Sequence, residues 1–386
     1  MEMQERVVAA FEAAYGRRPG VVTRAPGRLE ILGNHTDYNE GTVLSVAVDR
    51  ATWVSAGLSG TRECRLLDAV SGSRRGFRVD AVEARPRPGD WVNYVKGLVV
   101  ELGRRGVAVP GFDLVLGSTV PLSAGMSSSA ALEMSVLLAL LRLAGRDLDW
   151  REMARVGQAC ENDYVGARTG LLDQFSSLRG QAGHLVYSDF RSLEVAAVPL
   201  PAGTALVVAN SMVRHTLTGE YNERREACEE AVRLLQADGM AVRALRDVTP
   251  ACLEAAAGRL PPRVYRRARH VVGEIARVEA GVAALREGRL RDFGRLLNES
   301  HESSIANFEN SCPELDALVA LGRSLPGALG ARLSGGGFGG ITVHLVEADQ
   351  AAAYAEALQR QYRTRTGQAA ETMVCTAAEG AGVMAS

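Results

Sequence analysis

Residues 121–131, PLSAGMSSSAA, stand between a strand-like run ending at Val120 (FDLVLGSTV) and a strongly apolar stretch over 130–143, AALEMSVLLALLRL. That stretch predicts a helix stopped near Gly145. A strand–loop–helix junction of this kind leaves backbone N–H groups free at the helix start, where the helix dipole also favours an anion. Gly125 allows the backbone to approach a phosphate closely. The serines cap the helix and can offer hydroxyls to a phosphate or to magnesium. A serine-rich cap with no ligand would carry the same residues.

At 386 residues the chain exceeds one ordinary core and fits two domains. Strands are expected over 41–48 (GTVLSVAV), 51–58 (ATWVSAGL) and 112–120, a helix over 153–165, and strand and turn signals across 171–200. The character changes at 201–203. Beyond it come a strand at ALVVANSMV, charged helices over 220–235, 262–285 and 291–310, the strand ITVHLV and a helix over 348–364. The expected fold class is α+β, with mixed sheets in domains of residues 1–203 and 204–386.

The formal net charge is −1 and no basic tail or patch is present, which argues against nucleic acid and membrane surfaces as partners. The amphipathic start, MEMQERVVAAFEAAYG, lacks the basic and apolar regions of a signal peptide. No apolar run approaches the roughly 18 residues needed to cross a bilayer. Six scattered cysteines without a CxxC pair read as reduced thiols, and the expected location is cytoplasmic. The six histidines show no metal-ligand spacing. Lys96 is the only lysine, and it sits in VNYVKGLVV. The chain therefore has no P-loop, which needs GxxxxGK[ST].

Two further segments are chemically dense. LSGGGFGG, residues 333–340, contains a literal GxGxxG at Gly335, Gly337 and Gly340. A strand rather than a helix follows it, so the dinucleotide-binding reading fails on context. A loop lying close to another backbone or to nucleotide phosphates, through Gly336 and Gly337, suits the residues better; a tight strand-connecting turn is the plain alternative. Residues 24–49 contain GNHTDYNEG, which packs His35, Asp37, Tyr38 and Asn39 into a loop before an apolar strand. Such a loop can hydrogen-bond a polyol, or form only a self-capped Asx turn. Arg28 adds a fixed charge suited to a transferring phosphate.

GRLEILGNHTDYNEG resembles the galactokinase signature, PLSAGMSSSAA the phosphate loop of the GHMP kinases, and GARLSGGGFGG their third motif. WVNYVKG, GLLDQFSSLRGQAGH, VRHTLTGEYNERREACEEA, RRARHVVGEI, ESHESSIANFENSCPELDAL and AAEGAGV resemble further segments in the same order. The resemblance implies an N-terminal domain with a mixed sheet backed by helices and a C-terminal domain with a ferredoxin-like layer. ATP and a sugar would meet between them. It implies Asp173 as the catalytic aspartate with Arg28 beside it, and Glu161 with a serine, best Ser128, as magnesium ligands. Asn34, His35, Asp37, Gly170 and Tyr221 fall on sugar-contacting positions, and Trp91 on an aromatic near the adenine. Pro121, Gly125, Met126, Ser127, Ser128, Ser129 and Ala130 form the phosphate loop, with Gly336 and Gly337 facing the nucleotide. The implied partners are a small-molecule sugar and ATP with Mg²⁺, and the expected assembly is a monomer or weak dimer.

Three departures bear on the substrate. Galactokinases usually read GEHTDYN, whereas this chain has Asn34 at the glutamate position, and it has Glu30 where asparagine is common. SIANFE also replaces a segment that typically carries two aspartates. An amide both donates and accepts, whereas a carboxylate only accepts. The resemblance thus implies transfer to the anomeric hydroxyl of galactose, with a related sugar (galacturonate, arabinose or an N-acetylated hexosamine) as the alternative. A non-catalytic sugar sensor disagrees with the intact SSSAA, Asp173, Glu161 and Arg28.

Overall fold

The computed structural model describes residues 2–83, 89–122, 125–167, 169–213 and 218–385. Ser123 and Ala124 of the phosphate-loop motif, and residues 214–217 of the VRHTLTGEY segment, lie outside them. In chain order the first half runs α1 (Met3–Tyr15), β1 (Val21–Leu32), β2 (Thr42–Leu58), β3 (Glu63–Asp68), β4 (Arg74–Arg78), α2 (Val92–Arg104) and β5 (Phe112–Ser118). Next come α3 (Ser128–Leu143), α4 (Trp150–Ala159), α5 (Leu172–Arg179), β6 (His184–Asp189) and β7 (Glu194–Pro199). The second half runs β8 (Thr204–Asn210), α6 (Thr218–Ala237), α7 (Pro250–Ala255), α8 (Pro262–Arg286), α9 (Leu290–Ser303) and α10 (Pro313–Arg323). It closes with β9 (Ala328–Ser334), β10 (Ile341–Glu347), α11 (Ala351–Thr366), β11 (Glu371–Cys375) and β12 (Gly382–Val383).

The expected strands at 41–48 and 51–58 are one strand, β2, of 17 residues. Its length lets it serve two partners along one edge: Thr52–Leu58 pairs with β5 and Thr42–Ser45 pairs with β6, while β1 lines the other edge. The result is an eight-stranded sheet ordered β12-β1-β2-β5-β3-β4, with β6 and β7 branching from β2. Only β3 and β5 run parallel, so the sheet is mixed as expected. β1 (VVTRAPGRLEIL) lacks a plain strand pattern, because Pro26, Gly27 and the charged residues Arg24, Arg28 and Glu30 interrupt its apolar run.

The second sheet is a four-stranded antiparallel layer, β11-β8-β10-β9. Alternation along β8 splits its side chains between two cores. Leu206 and Val208 join Leu29, Ile31, Val278 and Phe293, whereas Val207 and Ala209 join Leu318 and Leu358 on the far face. One hydrophobic cluster thus runs from β1 through α8 and α9 into the second sheet, and it welds the two halves. The last strand, β12, returns to pair with β1 at Thr23 and Arg24.

α3 packs against β1 and β2, and eleven of its residues are buried, from Ala130 to Leu141. It begins at Ser128, two residues before the apolar run. Two expected helices end in π-turns: α4 passes into one at Cys160–Val165, and α9 into one at Ser304–Phe308. Such turns concentrate at functional sites; the first leads into the cleft described below through Val165 and Gly166, and the second ends at Phe308, whose ring packs against His35. Residues 172–179, read as strand and turn, form α5 because Phe175 is buried between Trp150 and Phe190. No helix among the described residues is long and apolar enough to cross a membrane.

Candidate active site

β1 and the phosphate loop are clamped together. The Arg28 N–H donates to the Met126 carbonyl at 3.1 Å, and a Cβ on Gly27 would collide with that same carbonyl. The Arg28 guanidinium donates through Nη1 to the Gly125 carbonyl at 2.6 Å and through Nε to Asp173 Oδ1 at 2.9 Å. Asp173 lies in the first turn of α5, where the helix dipole favours a carboxylate. One buried cation therefore joins the loop that precedes α3 to the carboxylate at the start of α5.

Ser127 takes a left-handed conformation (φ 54°) at the N-cap of α3, so the chain turns sharply as the helix starts. Its Oγ is buried and meets no partner among the described residues. The N–H groups of the first helical turn have no helical acceptors. An anion fits this combination of orphan donors.

Beside the loop lies a buried acidic pocket. Glu161, carried by the first π-turn, accepts from the Thr169 hydroxyl at 2.6 Å and from Gln174 Nε2 at 3.2 Å. Gln174 also donates to Glu133 Oε2 at 3.2 Å, and Glu133 Oε1 has no partner among the described residues. Burial, then the charge of Asp173, raises the Glu161 pKa. Burial, followed by the charges of Glu161 and Asp173, raises that of Glu133 well above the carboxylate range. Of the serines in the loop, Ser129 is the one whose side chain helps to lower the Glu161 pKa. Among the described residues no group of three or more His, Cys, Asp or Glu could hold a metal alone.

The loop after β1 is the hub of a second network. Gly33 and Asn34 donate their N–H groups to Glu274 Oε2 at 3.0 and 2.9 Å. His35 (φ 60°) lies with its ring centroid 4.6 Å from Phe308 and 5.0 Å from Tyr221. Its Nε2 meets the Gly336 carbonyl at 3.2 Å and its Nδ1 the Tyr38 hydroxyl at 2.8 Å. A carbonyl only accepts, so Nε2 carries the proton and Nδ1 accepts from Tyr38. Burial lowers the His35 pKa to about 4, consistent with that neutral tautomer. Asn34 donates through Nδ2 to Glu30 Oε1 and to the Gly335 carbonyl, both at 2.8 Å, and its Oδ1 accepts from Asn310 at 2.9 Å. The glycine loop is therefore held by the signature loop, through the carbonyls of Gly335 and Gly336.

These elements enclose a cleft of about 470 Å³. Arg28, Glu30, Asn34, His35, Asp37, Gly170, Asp173, Tyr221, Gly336 and Gly337 all line it. Asp37 occupies the space that a Cβ on Gly170 would need. Burial raises the Asp37 pKa to about 6, and the charges of Glu30 and Asp173 add to the rise. Trp91 is placed elsewhere: it caps α2, packs on the N-terminal core and donates to Ser73 Oγ at 3.3 Å. Residues that sequence reasoning did not select are Glu274, Asn310, Thr169 and Gln174, along with Glu30, which was noted only as a departure. Asn310 and Glu274 lie 276 and 240 positions from Asn34, so no local pattern could have flagged them.

The fold and the loop geometry define a small-molecule kinase of the GHMP type. Residues 93–181 match the GHMP kinases N terminal domain and residues 282–364 the GHMP kinases C terminal. A mevalonate kinase shares the fold, with a TM-score of 0.65 at 16% identity over 92% of this chain and 99% of that one. Within that class, residues 9–58 match the galactokinase galactose-binding signature. The galactokinase of Roseiflexus sp. (strain RS-1) is 42% identical over 99% of this chain and 96% of its own, and that of Chloroflexus aggregans (strain MD-66 / DSM 9485) is 41% identical over 98% and 96%. The crystal structure of Lactococcus lactis galactokinase complexed with galactose superposes with a TM-score of 0.92 at 31% identity, covering 97% of this chain and 98% of that one. The chain belongs to the galactokinase family.

Proposed function

We propose that the chain transfers the γ-phosphate of ATP to the anomeric C1 hydroxyl of galactose, giving galactose 1-phosphate and ADP. The observation that carries this reading is Arg28 donating at once to Asp173 and to the Gly125 carbonyl. It sets a carboxylate able to receive a hydroxyl proton against a loop able to receive phosphate. Phosphoryl transfer needs positioning, charge neutralisation and exclusion of water more than covalent chemistry. Asp173 orients the sugar hydroxyl and accepts its proton, while Arg28 stabilises charge on the group in transit.

Residues 121–130 and the start of α3 hold the phosphates through N–H groups and the Ser127 to Ser129 hydroxyls. Ser129 and Glu161 would hold Mg²⁺, completed by phosphate oxygens and water as is usual for this ion; when bound it neutralises phosphate charge. Asp37, Tyr221 and Glu30 face the sugar, and Trp91 remains a proposed neighbour of the adenine. The division into residues 1–203 and 204–386 is likewise proposed, supported by the second sheet opening at Thr204.

Purified protein with MgATP, assayed for ADP release on galactose, galacturonate, arabinose and N-acetylgalactosamine, tests the reading. The expected result is turnover on galactose far above the other three, with phosphate on the anomeric carbon by NMR. Faster turnover on another sugar, or phosphate on another carbon, would overturn it.

A further inference from the structure

Asn34, the residue that departs from the family signature, has both of its amide donors committed. Its two amide hydrogens go to Glu30 Oε1 and the Gly335 carbonyl, and its oxygen accepts from Asn310. It is 1% exposed. Glu30 is different. Oε1 accepts from Asn34 at 2.8 Å and from Arg332 Nη2 at 3.1 Å. Oε2 makes no hydrogen bond to any described residue, yet it is not among the polar atoms sealed from solvent. Glu30 lines the same cleft as Arg28, Asp37 and Asp173. A carboxylate held on one oxygen and open on the other is an acceptor waiting for a donor.

We propose that Glu30 is the specificity-determining carboxylate of this cleft, its Oε2 accepting a hydrogen bond from a galactose hydroxyl, while Asn34 is a strut that aims it. The proposal rests on the galactose-kinase reading above and deepens it. Among the described residues that line the cleft, three carboxylates (Glu30, Asp37 and Asp173) stand against one cation, Arg28, with Arg332 paired to Glu30; this balance favours a neutral polyol, which donates, over an anionic sugar acid, which brings acceptors and a like charge. The exchange of residue types between positions 30 and 34 therefore leaves a carboxylate and an amide in contact.

The test is Glu30→Gln. Asn34 and Arg332 both donate to Oε1, which pins the new amide oxygen there and turns its NH₂ toward the cleft, so a donor replaces an acceptor. The unmodified chain and the variant are assayed with galactose and its 2-, 3-, 4- and 6-deoxy analogues. With the unmodified chain, loss of the contacted hydroxyl should raise KM about tenfold to a hundredfold. With Glu30→Gln, KM for galactose should rise by a similar factor with kcat within about threefold. The penalty for that one deoxy sugar should then shrink to about twofold. A purely structural role would leave all four penalties as they were, and that result would overturn the proposal. Glu30→Gln/Arg332→Met repeats the measurement without leaving a buried cation unpaired, should the single variant fail to fold. Failure of the unmodified chain to phosphorylate galactose overturns the proposed reaction instead, so the two outcomes are separable.

Discussion

Arg28 and Asp173, 145 positions apart in the chain, meet twice: Nε lies 2.9 Å and Nη2 2.7 Å from the same Oδ1. The guanidinium is almost fully buried, whereas the carboxylate keeps 23% of its side-chain surface open to the cleft. The pair is thus fixed from behind and open in front, as a proton acceptor for a bound hydroxyl must be.

Asp173→Asn keeps an oxygen for Arg28 but removes the charge that accepts the proton. Turnover should fall about 10²- to 10⁴-fold. ATP affinity should change less than about threefold, because the phosphate donors at α3 are untouched. Steady-state kinetics, together with nucleotide binding by calorimetry, checks both halves. Near-normal turnover would remove Asp173 from the mechanism.

Gly170 has no room for a side chain, since the Asp37 carboxylate fills the position of its Cβ. Gly170→Ala must push Asp37 out of place. The expected effect is a rise in KM for galactose of about tenfold or more, with KM for ATP changed little. Equal rises for both substrates would show that the substitution disturbs the site generally.

Asp37 ties sugar affinity to pH. Burial lifts its pKa to about 6, so below that pH it is protonated and accepts hydrogen bonds poorly. Galactose affinity by calorimetry should fall about tenfold between pH 7 and pH 5, and Asp37→Asn should bind weakly and without that slope. The raised folded-state value also means that the proton stabilises the empty protein. That contribution is full below the unfolded value and lost as pH rises through about 6. Asp37→Asn should therefore raise the unfolding free energy of the empty protein at pH 8 by up to about 3 kcal/mol. Affinity flat with pH in the unmodified chain would refute the assignment.

The contrast between what the chain announces and what it withholds follows from distance. Residues 121–131 and the apolar helix after them were legible because a strand, a serine-rich cap and an apolar run are neighbours in the sequence. The same holds for Arg28, His35 and Asp37, which sit inside one short motif that resembles its family closely. Asp173 and Glu161 were found only through the resemblance; nothing local distinguishes Glu161 from a solvated helix residue, and a π-turn is what turns it inward. α5 was missed because eight residues rich in serine have weak helical character alone and depend on packing around Phe175. The commitment of Asn34 to Glu30, Gly335 and Asn310 was invisible, since two of those three partners lie at least 276 positions away.

Glu274 shows how far that hidden support reaches. Fully buried on α8, it accepts the N–H groups of Gly33 and Asn34 through Oε2 and pairs through Oε1 with Arg277 Nε at 2.7 Å. Burial is the largest single influence and opposes its charge, but Arg277, together with Arg332, His270 and the Asn34 N–H, outweighs it and holds the carboxyl well below the usual carboxylate range. The folded-state pKa is depressed, so the stabilisation is present above the unfolded value and lost as pH falls below it. Glu274→Ala leaves two amide donors and a largely buried guanidinium without their acceptor, at a cost of about 3–5 kcal/mol by urea unfolding at pH 7. The loss relative to the unmodified chain should shrink as the pH is lowered below about 4, where the Glu274 carboxyl of the unfolded chain begins to protonate while the folded one stays charged. Because the same amides fix the backbone that carries Asn34, KM for galactose should rise alongside. A stable variant with an unchanged KM would show that the signature loop holds its shape without α8.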